Sequence, residues 1–180
     1  VSGISKVFMR TGWRIGYICF HDPEKKILEA KKTMDRYWRV YGHVRSCIAS
    51  HTLAAATKAY EGFPNGAEPA AAVRELVAEL QVRRDFLIRR YNEIGGIDYS
   101  KPKGALYSFP KLRAIPKIWK TEAEFLTDLI KEEGLEIGAP GSNFGKSGFG
   151  HFRHLLLPKP DILIDSMNRL ERFLKRHAAV

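Results

Sequence analysis

Residues 5–17 read SKVFMRTGWRIGY, and the interpretation of the whole chain depends on this segment. Lys6 precedes Arg14 by eight residues, and Arg14 lies within residues 13–20, which are rich in β-branched and aromatic side chains. Such side chains favour strands, so we predict a buried strand over residues 13–20. This arrangement brings an amine and a guanidinium together at the edge of a sheet. An amine there can form a Schiff base with a carbonyl compound, and a guanidinium can hold a phosphate.

Two further segments combine glycine, proline and aromatic residues. Residues 102–110 read PKGALYSFP, and residues 140–153 read PGSNFGKSGFGHFR. Together with residues 5–17, and in this order, they resemble three motifs of the class I and II aminotransferases, the fold-type-I enzymes that use pyridoxal phosphate. The resemblance extends from Ser5 to the last predicted helix. It is strongest to the aspartate, alanine and aromatic aminotransferases of archaea and bacteria.

The resemblance implies roles for four residues. Lys6 corresponds to the lysine that holds pyridoxal phosphate as a Schiff base and then moves a proton, which requires an amine able to lose its own proton. Arg14 corresponds to the arginine that binds the cofactor phosphate, and Ser5 is the candidate for a second phosphate contact because Gly3 replaces the family's usual hydroxyl residue. Arg153 corresponds to the arginine that binds the substrate α-carboxylate, whose two oxygens match its planar fork. The alternatives are that Lys6 is a solvated surface charge and that Arg153 is a surface arginine at the end of a strand.

The resemblance also implies a fold class and a domain organisation. We expect an α/β chain equivalent to the C-terminal part of the pyridoxal-phosphate-dependent transferase fold. Residues 1–63 would end the large cofactor-binding domain, and residues 64–180 would form a long connecting helix and a small α+β domain. In the family, the residues that contact the cofactor ring precede the lysine. We therefore expect a C-terminal fragment of a homodimeric enzyme for an amino acid and a 2-oxo acid, inactive as an isolated chain.

Local signals predict the remaining elements. We expect Asp22 and Pro23 to begin a helix, an amphipathic helix from Glu68 to about Ile94, and a helix opened by a capping box at Thr121. The other predicted elements are a helix over 50–60, a final helix from Pro160, and strands over 97–99, 105–109, 135–137 and 152–157. Four arginines of the long helix are predicted to form a solvated face: Arg83, Arg84, Arg89 and Arg90.

Composition narrows the class of protein. A chain of 180 residues, 44% of them hydrophobic, can bury a core. No apolar run approaches the roughly 18 residues needed to span a bilayer, and no cluster of His, Cys and carboxylate residues has the spacing of metal ligands. Cys19, in the predicted strand, and Cys47 are interpreted as reduced core thiols of a cytoplasmic protein.

The net charge of +10 permits either small anionic ligands or nucleic acid as partners. No nucleic-acid-binding motif accompanies the charge, so small anionic ligands are favoured. Two alternatives to an aminotransferase stay open. One is a non-catalytic remnant that keeps the motifs but binds neither cofactor nor substrate, and the other is a basic nucleic-acid-binding module.

Overall fold

The computed structural model describes residues 2–45, 48–61 and 67–180. The chain forms two compact units, Val1–Glu75 and Leu76–Val180. The division between them falls inside a 28-residue helix, α4, which covers Ala67–Ile94. The predicted domain boundary at residues 63 and 64 lies outside the described residues and stays a prediction. Cys47 also lies outside them.

The first unit begins with a short antiparallel hairpin. Strand β1 (Ser2–Gly3) pairs with strand β2 (Gly16–Tyr17), and a single turn of helix, α1 (Ile4–Val7), follows β1 directly. Gly3 lies opposite Gly16, and a Cβ on Gly16 would lie 3.0 Å from the carbonyl oxygen of Ser2. The glycine pair therefore allows the two backbones to approach closely.

The prediction of a buried strand over residues 13–20 was wrong. Only Gly16–Tyr17 forms a strand, Thr11–Trp13 is a 3-10 turn, and Ile15 is the one buried residue of the segment. A strand extends only as far as it has a partner, and in the described part of the chain β2 pairs with the two residues of β1. Cys19 is accordingly exposed and outside any strand, which corrects its interpretation as a core thiol.

Two helices complete the described part of the first unit before α4. Helix α2 covers Leu28–Arg45 and begins five residues later than predicted. The Asp22 carboxylate instead accepts hydrogen bonds from the amides of Lys26 (2.8 Å) and Ile27 (3.0 Å) in a preceding turn. Helix α3 covers Ser50–Glu61 and confirms the predicted helix over 50–60.

The second unit contains two small antiparallel sheets. Strand β3 (Ile97–Asp98) pairs with β5 (Lys111–Leu112), and β7 (Phe152–Leu155) lies between β4 (Tyr107–Ser108) and β6 (Gly138–Pro140). The strands predicted near β3, β4 and β7 are confirmed in shorter form. The strand predicted over residues 135–137 was wrong by three residues, because the backbone pairs with β7 only from Gly138 onward.

Three helices close the core of the second unit. The predicted helices are confirmed as α4, α5 (Glu122–Glu133) and α6 (Pro160–Arg176). The Thr121 hydroxyl accepts a hydrogen bond from the Glu124 amide (3.2 Å) at the start of α5. The shared core is fully or almost fully buried and includes Leu87, Tyr91, Phe125, Leu129, Phe152, Leu163, Met167, Leu170 and Leu174.

The prediction of a solvated arginine face on α4 was wrong for three of its four members. The side chains of Arg83, Arg84 and Arg90 are only 15–17% exposed. Arg83 donates to the carbonyl oxygen of Leu157 (2.6 Å), and Arg90 pairs with Glu171 on α6 (2.6 Å). These cations are neutralised within the fold, because burial of an unpaired guanidinium would be costly.

Candidate active site

The hairpin of the first unit brings three of the predicted site residues together. Ser5 and Lys6 lie in α1, and Arg14 lies at the end of the 3-10 turn that leads into β2. The amide of Ile4 donates to the carbonyl oxygen of Ile15 (3.2 Å), so the segments carrying Lys6 and Arg14 are joined across the hairpin. Lys6 and Arg14 are exposed, and Ser5 is half-buried.

Arg14 has an unusual backbone conformation. Its φ is +54° and its ψ is +38°, in the left-handed region that residues other than glycine rarely adopt. The guanidinium donates to the carbonyl oxygen of Thr11 (3.0 Å), which holds the side chain over the turn. A guanidinium has five donors, so the other N–H groups of Arg14 can bind an anion.

Tyr60 of α3 supports the hairpin from one side. Its ring makes edge-to-face contacts with Phe8 (5.3 Å between centroids) and Tyr17 (5.2 Å). Burial raises the pKa of Tyr60, and its polar neighbours include Ser2. The Tyr60 hydroxyl is buried without a hydrogen-bond partner in good geometry among the described residues. No pattern in the sequence predicts this contact, because it joins segments about fifty residues apart.

Arg153 lies in β7 of the second unit, between two aromatic rings. Its guanidinium carbon is 4.6 Å from the ring centroid of Tyr107 and 5.1 Å from that of Phe144, which are cation–π distances. Within the described part of the chain the guanidinium has no carboxylate partner. Because the rings cover the guanidinium face, the N–H groups at its edge are the part that can bind a carboxylate.

A glycine-rich turn precedes Arg153 and fixes the approach to β7. Gly141 and Gly148 come so close that a Cβ on either would collide with the backbone of the other. The Gly141 amide also donates to the carbonyl oxygen of His151 (2.8 Å). The turn therefore brings Phe144 back towards Arg153, and the glycines at its closure cannot carry side chains without a backbone shift.

His154, the next residue after Arg153, is buried in a polar contact that the sequence did not indicate. Its Nδ1 lies 2.8 Å from the Tyr91 hydroxyl. Burial lowers the pKa of His154 to about 4, so the imidazole is neutral at neutral pH. Burial also raises the pKa of Tyr91, which therefore stays protonated. Two neutral polar groups thus occupy the core directly beneath the strand that carries Arg153.

Arg153 also lines a cleft of about 460 Å³ between β6, β7 and the start of α6. The cleft is bordered by apolar side chains such as Ile137 and Ile162 and by one carboxylate, Glu136. Within residues 2–45, 48–61 and 67–180, no three His, Cys, Asp or Glu side chains come together as metal ligands. In the same residues, no helix combines the length and apolarity that crossing a bilayer requires.

The two site regions share a chemical character. One presents an exposed amine and an exposed guanidinium on the same hairpin, and the other presents a guanidinium without a carboxylate partner among the described residues. These groups suit ligands that carry an aldehyde, a phosphate or a carboxylate. Groups of this kind are typical of proteins that bind small anionic carbonyl or carboxylate compounds.

Comparison with known proteins identifies the family. The family model for aminotransferase class I and II matches residues 1–153. An aspartate aminotransferase from Pyrococcus horikoshii is 29% identical over 174 residues, which cover 97% of this chain and 40% of the relative. Aromatic-amino-acid aminotransferase 2 from Thermococcus litoralis is 31% identical over 180 residues, covering 100% and 42%. The solved structure of an alanine aminotransferase from Pyrococcus furiosus matches with a TM-score of 0.81 and 38% identity, covering 97% and 41%.

The chain therefore belongs to the class I and II aminotransferases. Its mixed α and β fold corresponds to the C-terminal part of the pyridoxal-phosphate-dependent transferase fold, as predicted. The chain spans about 40% of the length of the curated relatives that it matches.

Members of this family use pyridoxal phosphate, and the residues of the hairpin fit that group. Lys6 offers a primary amine for the aldehyde, and Arg14 offers a cation for the phosphate. Both side chains are exposed and lie on the same hairpin, so neither is blocked by burial from reaching a ligand.

Proposed function

We propose that this chain supplies the cofactor-attaching lysine and the carboxylate-binding arginine of an aminotransferase that transfers an amino group between an amino acid and a 2-oxo acid. The observation that carries the proposal is the setting of Arg153. A half-buried guanidinium without a carboxylate partner in the described residues, fixed between Tyr107 and Phe144, is prepared for a carboxylate from outside the fold. The family membership supplies the reaction class.

In this proposal the hairpin residues bind the cofactor. Lys6 is its covalent attachment point and afterwards accepts and returns a proton at its Nζ atom. Arg14 binds the phosphate through those donors of its fork that Thr11 does not use. Ser5, half-buried in the same helical turn as Lys6, adds a neutral hydroxyl contact to the phosphate. When bound, pyridoxal phosphate stabilises negative charge that develops on the substrate carbon.

Arg153 would hold and orient the substrate by its α-carboxylate. Two parallel N–H···O bonds fix both the position and the plane of a carboxylate, which a single point charge cannot do. The amino acid itself stays open, because the related proteins are named for aspartate, aromatic amino acids and alanine.

We also propose that the enzyme is a cytoplasmic homodimer. The apolar side chains that α2 leaves exposed, among them Tyr37, Trp38 and Val40, support an interface there, because exposed apolar clusters mark surfaces that become covered. The presence of only two cysteines, without a C-x-x-C motif, supports a reducing compartment. Size measurement in solution and fractionation of the source cells test the two statements separately.

The experiment that tests the carboxylate role replaces Arg153 by Ala and by Lys. We expect Arg153→Ala to weaken binding of a carboxylate ligand by roughly 2–4 kcal/mol, from two charge-assisted bonds with partial overlap. Arg153→Lys should recover only part of this loss, because an ammonium lacks the planar fork. Arg113, an exposed arginine already paired with Asp98, is the control, and Arg113→Ala should bind normally. Equal affinity of Arg153→Ala and the parent chain would contradict the role.

The attachment role of Lys6 is tested by reduction. Borohydride treatment in the presence of stoichiometric pyridoxal phosphate, followed by peptide mapping, should place the label on Lys6. Lys25, another exposed lysine of the first unit, serves as the internal comparison. Equal labelling of both lysines would contradict a dedicated attachment site.

A further inference from the structure

Glu122 is a buried acidic residue that the proposed function does not use. It is the first residue of α5 and is only 2% exposed. Its carboxylate accepts a hydrogen bond from the backbone amide of Gly150, 28 residues further along the chain. The start of a helix carries partial positive charge, which favours a carboxylate at this position. A buried carboxylate aimed at one backbone amide therefore joins α5 to the glycine-rich turn.

Gly150 is held from two sides. Its amide donates to Glu122, and its carbonyl oxygen accepts from the amide of Leu112 in β5 (2.9 Å). Its φ of +82° lies in the left-handed region, so this position turns the chain sharply before β7 begins. The next strand amide, that of Phe152, donates to the carbonyl oxygen of Pro110 (3.0 Å). The backbone is therefore fixed in register immediately before Arg153.

The hydrogen bond between Glu122 and Gly150 also constrains one of the two rings that contact the Arg153 side chain. Phe144 lies in the turn that Gly141 and Gly148 close by direct backbone contact. A turn anchored at Gly150 keeps Phe144 at 5.1 Å from the guanidinium of Arg153. Without the Glu122 acceptor, the backbone before Arg153 and the turn that carries Phe144 lose one of the bonds that constrain them.

We infer that Glu122 is a positioning residue for carboxylate binding by Arg153, acting through the Gly150 amide and the turn that carries Phe144. This inference rests on the carboxylate role proposed for Arg153. Glu122 does not touch the ligand. It sets the direction in which the fork of Arg153 points, and geometric errors of about 1 Å in such a group reduce function up to about a hundredfold.

The experiment measures binding of 3-phenylpropionate, a carboxylate that cannot react, to the whole chain by NMR titration of the Arg153 Nε–Hε signal. Glu122→Ala removes the acceptor, whereas Glu122→Gln keeps an oxygen of the same reach. Glu124→Ala is the matched control, because Glu124 lies in the same helical turn but accepts from the Lys120 amide (2.7 Å), away from the glycine-rich turn. Hydrogen exchange of the Gly150 amide and the thermal midpoint are followed in every variant.

We expect Glu122→Ala to weaken binding by about tenfold or more, to shift the free Arg153 Nε–Hε signal and to speed exchange at Gly150. Glu122→Gln should bind within about threefold of the parent chain, since a neutral oxygen still accepts the bond. Glu124→Ala should lower the thermal midpoint without changing affinity. If Glu122→Ala does not fold, Glu122→Asp tests the same point, because its side chain is one methylene too short to reach Gly150.

Three outcomes would overturn the inference, and they are distinguishable. Unchanged affinity in Glu122→Ala, or equal losses in Glu122→Ala and Glu124→Ala, would reduce Glu122 to a residue that only stabilises the unit. Unchanged affinity in Arg153→Ala would overturn the carboxylate role of Arg153 itself, and the positioning role with it.

Discussion

Acid should destabilise the second unit through His154. This residue is fully buried against Tyr91, and burial lowers its pKa to about 4 from an ordinary value of 6.5. In the unfolded chain the imidazole takes up a proton as the pH falls through about 6.5. In the folded chain it stays neutral until about pH 4. Because the unfolded state binds more protons in this window, the free energy of unfolding falls as the pH falls from 6.5 to 4.

The size of the effect follows from the two pKa values. They differ by 6.5 minus 4, or about 2.5 units, and each unit corresponds to roughly 1.4 kcal/mol. The full loss is therefore about 3–4 kcal/mol, most of it already present at pH 4 and almost none of it above pH 6.5. His154→Gln removes the titrating group but keeps a polar partner for the Tyr91 hydroxyl.

The assay is urea unfolding of the parent chain and of His154→Gln at a series of pH values from 4 to 7.5. The difference in slope between the two chains isolates His154. Hydrogen bonds from Arg176 and Lys175 lower the pKa of Glu132 and Glu171, respectively. The stability that these two carboxylates contribute to the folded chain is therefore also lost in acid. Their contribution is common to both chains and cancels. Parallel pH dependence in the two chains would refute the reasoning.

Three other perturbations have expected outcomes. Gly148→Ala should lower the free energy of unfolding in urea by about 1–3 kcal/mol, because its Cβ meets the Gly141 backbone. Gly104→Ala, with open space around it, should leave the free energy of unfolding nearly unchanged, and equal effects of the two substitutions would contradict this. Ala105→Gly should raise the free energy of unfolding by about 0.5–1 kcal/mol, because Ala105 has a φ of +61°, which glycine adopts without strain. Ala123→Gly, within α5, should lower the free energy of unfolding. A lower free energy of unfolding for Ala105→Gly would contradict the strain argument. Residues 1–180 alone should show little or no transaminase activity in a coupled assay, because Lys6 is exposed to water and catalysis needs a closed site; robust turnover would contradict this.

Local signals predicted helices well because each signal acts within a few residues. The Thr121 cap and Gly134, whose φ is +61°, determine both ends of α5, and both are visible in the sequence. The sequence also placed Lys6 and Arg14 together, and the structure joins their segments across one hairpin. The assignment of functional roles to these residues stays a prediction.

Contacts between distant segments could not be predicted in the same way. Arg90 was interpreted as solvated, yet its partner Glu171 lies 81 residues away on α6. The motif singled out Arg153 by position, but not the two rings that enclose it, since Tyr107 reaches it only through strand pairing in the β4–β7 sheet. The capping box at Thr121 predicts only where a helix starts, and the fold alone shows that the Glu122 carboxylate accepts a hydrogen bond from the Gly150 amide.

The enclosure of Arg153 by Tyr107 and Phe144 has a consequence for the thermodynamics of ligand binding. A free arginine side chain loses up to about 2 kcal/mol of rotamer entropy when it is immobilised. Here the rings have already imposed much of that cost during folding, so an arriving carboxylate does not have to order the side chain itself. Binding at this position should therefore show a favourable enthalpy with a small entropic penalty, whereas a lysine at the same place would have to be ordered anew by every ligand.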